Sequence, residues 1–310
     1  GSSTFQRSWR FVAPNASPLV QSVARRTKEK GIAGDYAGQA ERLYAEKVRP
    51  ALARQAALLE SWRPKASHDA GVWRLPKGEE YYLTSLENYT TSRITPDEVH
   101  QTGLDMVASL SAQADKLMRK VGYTSGTVGE RFRQMYEDPK QQYANTDEAK
   151  VQLIADLNAK VKTITPLLPK YFGQLPKAPL EIRRVPKAIE AGAPGGYYNS
   201  PSLDGSRPGI YWINLCDSAE QPKFTLSTLT YHEAIPGHHL QLSLSNEAGD
   251  LPLIRKMIGF SGYSEGWALY AEQLAVEMGM YEHDTLGQIG MLHDAIFRGV
   301  RLVVDSGMHH

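Results

Sequence analysis

The residues best equipped for chemistry lie together in the stretch YHEAIPGHHLQ, residues 231 to 241, which holds His232, Glu233, His238 and His239. A histidine followed by a glutamate, with a second histidine one helical turn on, presents two imidazoles to one zinc ion and keeps a carboxylate base beside them. Here the position four after His232 is Pro236, and the next imidazoles stand six and seven residues on. On a straight helix His238 points roughly 120° away from His232, while His239 returns to the same side about two turns off. Neither spacing lets a pair of imidazoles meet one zinc ion at about 2.0 to 2.1 Å.

Pro236 and Gly237 bear directly on that mismatch. Proline has no N–H to give and its ring clashes with the preceding turn, so a regular helix must bulge or break there, and glycine tolerates the backbone angles that follow. A two-residue bulge brings His238 to the ligand position, and a three-residue bulge selects His239. The alternative is a helix that ends at Ile235, with Pro-Gly opening a turn and the histidines capping or packing. A zinc site also needs a third protein ligand. GYSEGWALYAEQL, residues 262 to 274, offers Glu265, with Glu272 on the same helical face to receive the second N–H of a ligand histidine. Three protein ligands leave room for a water, whose proton Glu233 would take and pass to a leaving amine. The developing oxyanion needs a donor, and the candidates are His239, Tyr263 and Arg301, with Arg298 and His309 also placed late in the chain.

The elements that must position these groups are mostly helical. Residues 35 to 62 repeat apolar positions at three and four, with a kink expected at Pro50. Residues 63 to 82, rich in Pro and Gly, read as loop. The next helix is better signed: Thr95 as N-cap, Pro96 at the first position, Glu98 completing a capping box and Gly122 at the stop. Further helices are expected at 127 to 136 and 147 to 167. After Pro176 the pattern changes. APLEIRRVP and RPGIYWINL read as strands, expected to form an antiparallel pair, separated by a Gly- and Pro-rich segment. Helices near 225 to 246, 262 to 279 and 286 to 304 complete a mostly α fold with a small β element ahead of the histidine cluster. Residues 1 to 176 are thus expected to form one wall of a cleft, and 177 to 310 the β insertion and catalytic helices of one continuous fold.

Composition sets the outer bounds. The 310 residues are 41% hydrophobic and 22% charged with net charge +1, which suits an ordinary globular protein and argues for no nucleic-acid partner. One cysteine, Cys216, leaves no intrachain disulfide. No apolar run approaches the roughly 18 to 20 residues of a membrane span. The opening GSS looks like a cloning scar, so an export signal is compatible with the sequence, and a periplasmic or exported location is slightly favoured. Oligomeric state is not encoded in any of these features.

YHEAIPGHHLQ, GYSEGWALYAE, LDGSRPGIYWINL and RLVVDSGMHH together resemble the motifs of the large bacterial domain-of-unknown-function 885 family, and GVWRLPKGEEYY and TPDEVHQTGL extend the resemblance upstream to about residue 70. It implies a helical zinc-peptidase-like fold, frequent export or lipoprotein signals, and a chain that in other members runs longer at both ends. A more distant similarity is to helical zinc peptidases such as angiotensin-converting enzyme, thimet-type oligopeptidases and thermostable carboxypeptidases. Matching their G-H to Gly237-His238 makes His238 the second metal ligand beside His232, with Glu265 the third. The same similarity implies that a strand, GIYWINL, lines the cleft and holds a peptide backbone. The expected activity is zinc-dependent hydrolysis of peptides or small amides. A metal-dependent amidase or lyase, and a helical binding protein that has lost the chemistry, are the competing expectations.

Overall fold

The structure, a computed structural model, describes residues 13–187, 189–249 and 251–310, so the opening GSS lies outside it. The chain divides into two compact units, residues 1–69 and 70–310. The change of character after Pro176 falls inside the second.

The described part of the first unit contains three α-helices, α1 (Pro18–Glu29), α2 (Tyr36–Leu43) and α3 (Arg49–Trp62). A five-residue π turn, Tyr44–Val48, joins α2 to α3 just ahead of Pro50. The expected kink thus takes the form of a widened turn, which accommodates the ring and the missing N–H without ending the helix.

The second unit opens with α4 (Gly78–Thr90), which begins inside the segment read as loop. Lys77 in the left-handed region turns the chain, and Glu79 and Glu80 in the first turn complement the positive end of the helix dipole, so the helix starts at Gly78. α5 (Pro96–Lys120) forms as its signals dictate: Thr95 Oγ1 accepts from the Glu98 amide at 3.2 Å, the Glu98 carboxylate accepts from the Thr95 amide at 2.8 Å, and Gly122 leaves at φ 95°. Thr95→Ala should cost about 1 kcal/mol in urea unfolding, because one helix-end donor loses its partner. α6 (Val128–Glu137) repeats the device with Thr127 and Glu130, and α7 (Asp147–Ile164) follows from Thr146.

Three strands form one mixed sheet in the order β1 (Leu180–Arg184), β3 (Gly209–Ile213), β2 (Gly196–Asn199). The two strands read from sequence do pair, but in parallel, with Leu180 opposite Gly209 and Arg184 opposite Ile213. This corrects the antiparallel expectation. The connection between them is long enough for a crossover, and on the way it adds β2, which lies antiparallel to the far side of β3. β3 is therefore the central strand.

The remaining helices are α8 (Lys223–Glu233), α9 (His238–Glu247), α10 (Leu253–Met257), α11 (Ser261–Glu277) and α12 (Thr285–His309). α8 is the hub. Leu226 packs with Ile182, Tyr211 and Ile213 of the sheet and with Leu153 and Leu157 of α7. Phe224 and Tyr231 join the helical core of Met118, Met135, Leu274 and Ile289. A helix buried along most of its length needs its polar side chains satisfied, and three of them are: Thr230 donates to the Leu226 carbonyl at 2.7 Å, Thr228 meets the Tyr281 hydroxyl at 3.0 Å, and Ser227 accepts from Lys160 at 2.8 Å. No described helix is long and apolar enough to cross a membrane.

Candidate metal centre

At the end of α8 the chain does something between the two alternatives. The helix stops at Glu233, Ala234 leaves helical geometry at φ −96° and ψ −111°, Ile235–Pro236 is a cis peptide, and helix resumes at His238. The Ala234 amide still bonds back to the Thr230 carbonyl at 2.9 Å, while the His239 amide reaches five residues back to the Ala234 carbonyl at 3.0 Å. The Trp267 indole of α11 donates to the Pro236 carbonyl at 2.9 Å. A side chain at Gly237 has no space, since a Cβ there would lie 1.9 Å from the His232 carbonyl oxygen and 2.4 Å from that of Tyr231.

The interruption turns His238 back toward His232. Their ring centroids are 4.8 Å apart and their planes nearly perpendicular, at 87°. Glu265, from α11, reaches both: one carboxylate oxygen is 3.7 Å from His232 Nε2 and the other 3.6 Å from His238 Nε2. One ligand-capable atom from each of His232, His238 and Glu265 lies within 4.8 Å of the other two. Both imidazoles are buried, while the Glu265 side chain stands open to solvent. Two neutral nitrogens and a carboxylate oxygen form a donor set that suits zinc.

Behind His232 stands the partner expected of a ligand histidine. Its Nδ1–H donates to Glu272 at 2.8 Å, and Arg298 of α12 donates to the same carboxylate oxygen at 3.0 Å. Arg298 also lies 3.1 Å from His232 Nδ1, but with both nitrogens carrying protons that contact acts only through the shared carboxylate. This holds the tautomer that leaves Nε2 facing Glu265.

The charges of the cluster are shifted accordingly. Burial alone would push His232 down, yet the carboxylates of Glu265 and Glu272 outweigh it and lift the imidazole to about 9. Burial and the positive His232 push His238 down to about 4. Glu265 is held below its ordinary range chiefly by its contact with His232. Burial raises Glu233 to about 7, against the opposing pull of His232. One Glu233 oxygen, Oε2, is buried without any hydrogen-bond partner, and such an orphaned acceptor beside three converging ligands is what a metal-bound water would satisfy.

The other sequence candidates fall elsewhere. His239 turns away from the trio: its Nδ1 meets the Tyr198 hydroxyl at 2.8 Å and burial pushes it down to about 4. Tyr263 is exposed and about 200° round α11 from Glu265. Arg301 is exposed and rests over the Phe297 ring at 5.9 Å. His309 accepts from the Val72 amide at 3.2 Å. None of these last three lines the cavity that holds His232, Glu233, His238 and Glu265.

Tyr198 is the group that sequence reasoning missed. It sits on β2, lines the same cavity of about 310 Å³, and stacks on His238 with ring centroids 6.4 Å apart. Gly209 makes room for it, since a Cβ there would lie 2.2 Å from the Tyr198 hydroxyl and 2.6 Å from His239 Nδ1. The signal was the Tyr197-Tyr198 pair, a strand-forming dipeptide inside a segment whose glycines and prolines dominated the reading. The cleft strand is likewise β2 and not GIYWINL, which as central strand is hydrogen-bonded on both edges. The Asn214 amide bonds the Gly195 carbonyl at 2.9 Å, so alternation along the antiparallel ladder turns the backbone groups of Gly196 and Tyr198 to the open edge.

A crystal structure from Colwellia psychrerythraea, described as a "putative lipoprotein", matches with TM-score 0.93 and 37% identity over 98% of this chain and 53% of that one. A Shewanella oneidensis structure, described as a "putative lipoprotein of unknown function", shares the fold at TM-score 0.66 and 17% identity, over 99% of this chain and 56% of that one. The chain thus spans about half the length of these two proteins. No curated protein matches. Residues 3–310 match the family described as "Bacterial protein of unknown function (DUF885)", and the chain belongs to that family.

Proposed function

We propose that the chain carries a zinc-dependent hydrolase centre acting on peptide or peptide-like amide bonds, with His232, His238 and Glu265 as the metal ligands. The observation that carries this reading is the convergence of those three side chains beside the buried, unpartnered Glu233 oxygen. When bound, zinc supplies a water of lowered pKa and polarises the substrate carbonyl.

The chain's own residues supply the rest. Glu233, at about 7, is poised to take a proton at Oε2 near neutrality and return it to the leaving amine. Glu272 and Arg298 hold His232 in one tautomer and orientation. The open edge of β2 offers the Gly196 and Tyr198 backbone groups to an extended substrate, which would add to the sheet as a further strand. The motif similarity to helical zinc peptidases supports the same assignment, and the descriptions of the two solved relatives support an exported setting.

Two measurements test this. Equilibrium dialysis should give about one zinc per chain, abolished by His232→Ala, and digestion of a peptide mixture followed by mass spectrometry should show cleavages that chelation removes. Bound zinc without cleavage would sink the hydrolase reading and leave the metal site standing. Zinc binding should also be strongly pH-dependent. His232 carries a proton at neutral pH and the metal must displace it, so affinity should rise about tenfold per pH unit between roughly 6 and 8. Calorimetry in buffers of different ionisation enthalpy should count about one proton released.

A further inference from the structure

A second cavity, of about 580 Å³, runs along α8 from Lys223 to Tyr231. The two cavities share no lining residue, and Lys223, at its far end, stands roughly 13 Å from His232 along the helix. Its walls are the turn at Lys140, one face of α7, α8 from Lys223 to Tyr231, Met280 and the start of α12. Three lysines line it, Lys140, Lys160 and Lys223.

None of the three has a carboxylate within ion-pair distance among the described residues. Lys160 is half-buried and donates to Ser227 Oγ at 2.8 Å, while Lys223 donates to the Lys140 carbonyl at 3.3 Å and lies over the Tyr143 ring at 5.0 Å. The two carboxylates in the wall are already engaged. Asp156 accepts from the Tyr143 hydroxyl at 2.6 Å and from Gln152 at 2.8 Å, and Asp284 caps α12 by accepting from the Gly287 amide at 2.8 Å. α8 begins after Pro222 with no side-chain cap and no acidic residue in its first turn, so the positive end of its dipole adds to the same field. Three lysines against two hydrogen-bonded aspartates leave the lining one positive charge in excess, the helix end adds to it, and a cavity of small-molecule size with that balance suits an anion.

We propose that this cavity is a binding site for an oxyanion-bearing small molecule, a phosphate or a carboxylate, gripped by Lys140, Lys160 and Lys223. Lys160 is the central contact, because it is the least solvated of the three and Ser227 already aims its ammonium. The site is independent of the metal centre and takes its ligand without zinc.

Isothermal titration of the whole chain with inorganic phosphate, and separately with succinate at the same ionic strength, tests the assignment. At least one of the two should bind saturably with about one site, and Lys160→Gln and Lys223→Gln should each weaken that binding by about tenfold or more. Whichever probe binds more tightly identifies the oxyanion. Lys116→Gln, outside the cavity, should bind as the wild type does, and circular dichroism shows whether each variant is folded. Lys223 is exposed, so its variant keeps the test open if Lys160→Gln does not fold. No saturable binding of either probe below about 10 mM, or binding unchanged in the folded variants, overturns the proposal.

Discussion

Glu233→Gln is expected to leave zinc bound and to lower kcat by about 10²- to 10⁴-fold, the range lost when a positioned general base is removed. Gln has the same shape, so the packing around the side chain survives. The amide cannot accept a proton, so the step assigned to Oε2 has no acceptor. Because Glu233 is not among the three ligands, the zinc content measured by dialysis should remain near one per chain. That split separates it from His232→Ala, in which metal and turnover disappear together. A Glu233→Gln chain that turns over peptides at the wild-type rate would remove Glu233 from the mechanism. The pH profile supplies a second check. Burial raises Glu233 to about 7 in the metal-free chain and a bound dication lowers it from there, so the zinc-loaded chain should show an acid limb of kcat/KM below 7 that is absent from whatever activity the variant retains.

Gly237→Ala should be strongly damaging although it removes no ligand. A methyl group there would overlap the His232 carbonyl oxygen at 1.9 Å and that of Tyr231 at 2.4 Å, and backbone atoms cannot swing aside as a flexible side chain can. The loop must therefore shift, and with it His238, whose place opposite His232 depends on the interruption. A loss of at least about 3 kcal/mol in urea unfolding, together with loss of zinc binding, is the expected result. Gly129→Ala in α6 serves as the contrast, since nothing lies within 4 Å of a Cβ there, and it should be neutral or stabilising by up to about 1 kcal/mol. Equal effects of the two substitutions would mean that the tight turn is not what holds the histidines together.

The parts of this protein that could be read from sequence are those governed by local rules. The capping box of α5, the helix from 127 and an irregularity at Pro50 each follow from a few neighbouring residues, while the cap at Thr127 and the π form of the turn came only with the structure. Within the site the same holds for Pro236 and Gly237, whose chemistry forbids a regular helix and so marks where the geometry must depart. What was not legible depends on contacts between distant segments. The parallel pairing of β1 with β3 is set by where a long connection places β2, and no local pattern states it. Arg298 and Arg301 are three residues apart on one helix, and only the packing of α12 against α8 decides that the first meets Glu272 while the second faces solvent. Tyr198 reaches the cavity because a glycine on the neighbouring strand leaves room for its hydroxyl.

The interruption between Glu233 and His238 also has an electrostatic consequence. In a continuous helix the peptide dipoles around the motif would cancel head to tail, and the metal would see no net end charge. Stopping α8 at Glu233 leaves a helix C-terminus there, equivalent to about half a negative charge, next to His232. The eleven residues of α8 thereby act as an oriented dipole that favours a cation at one end and an anion at the other. α9 starts at His238 with its own positive end, so the two ligand histidines stand where a negative and a positive helix end meet.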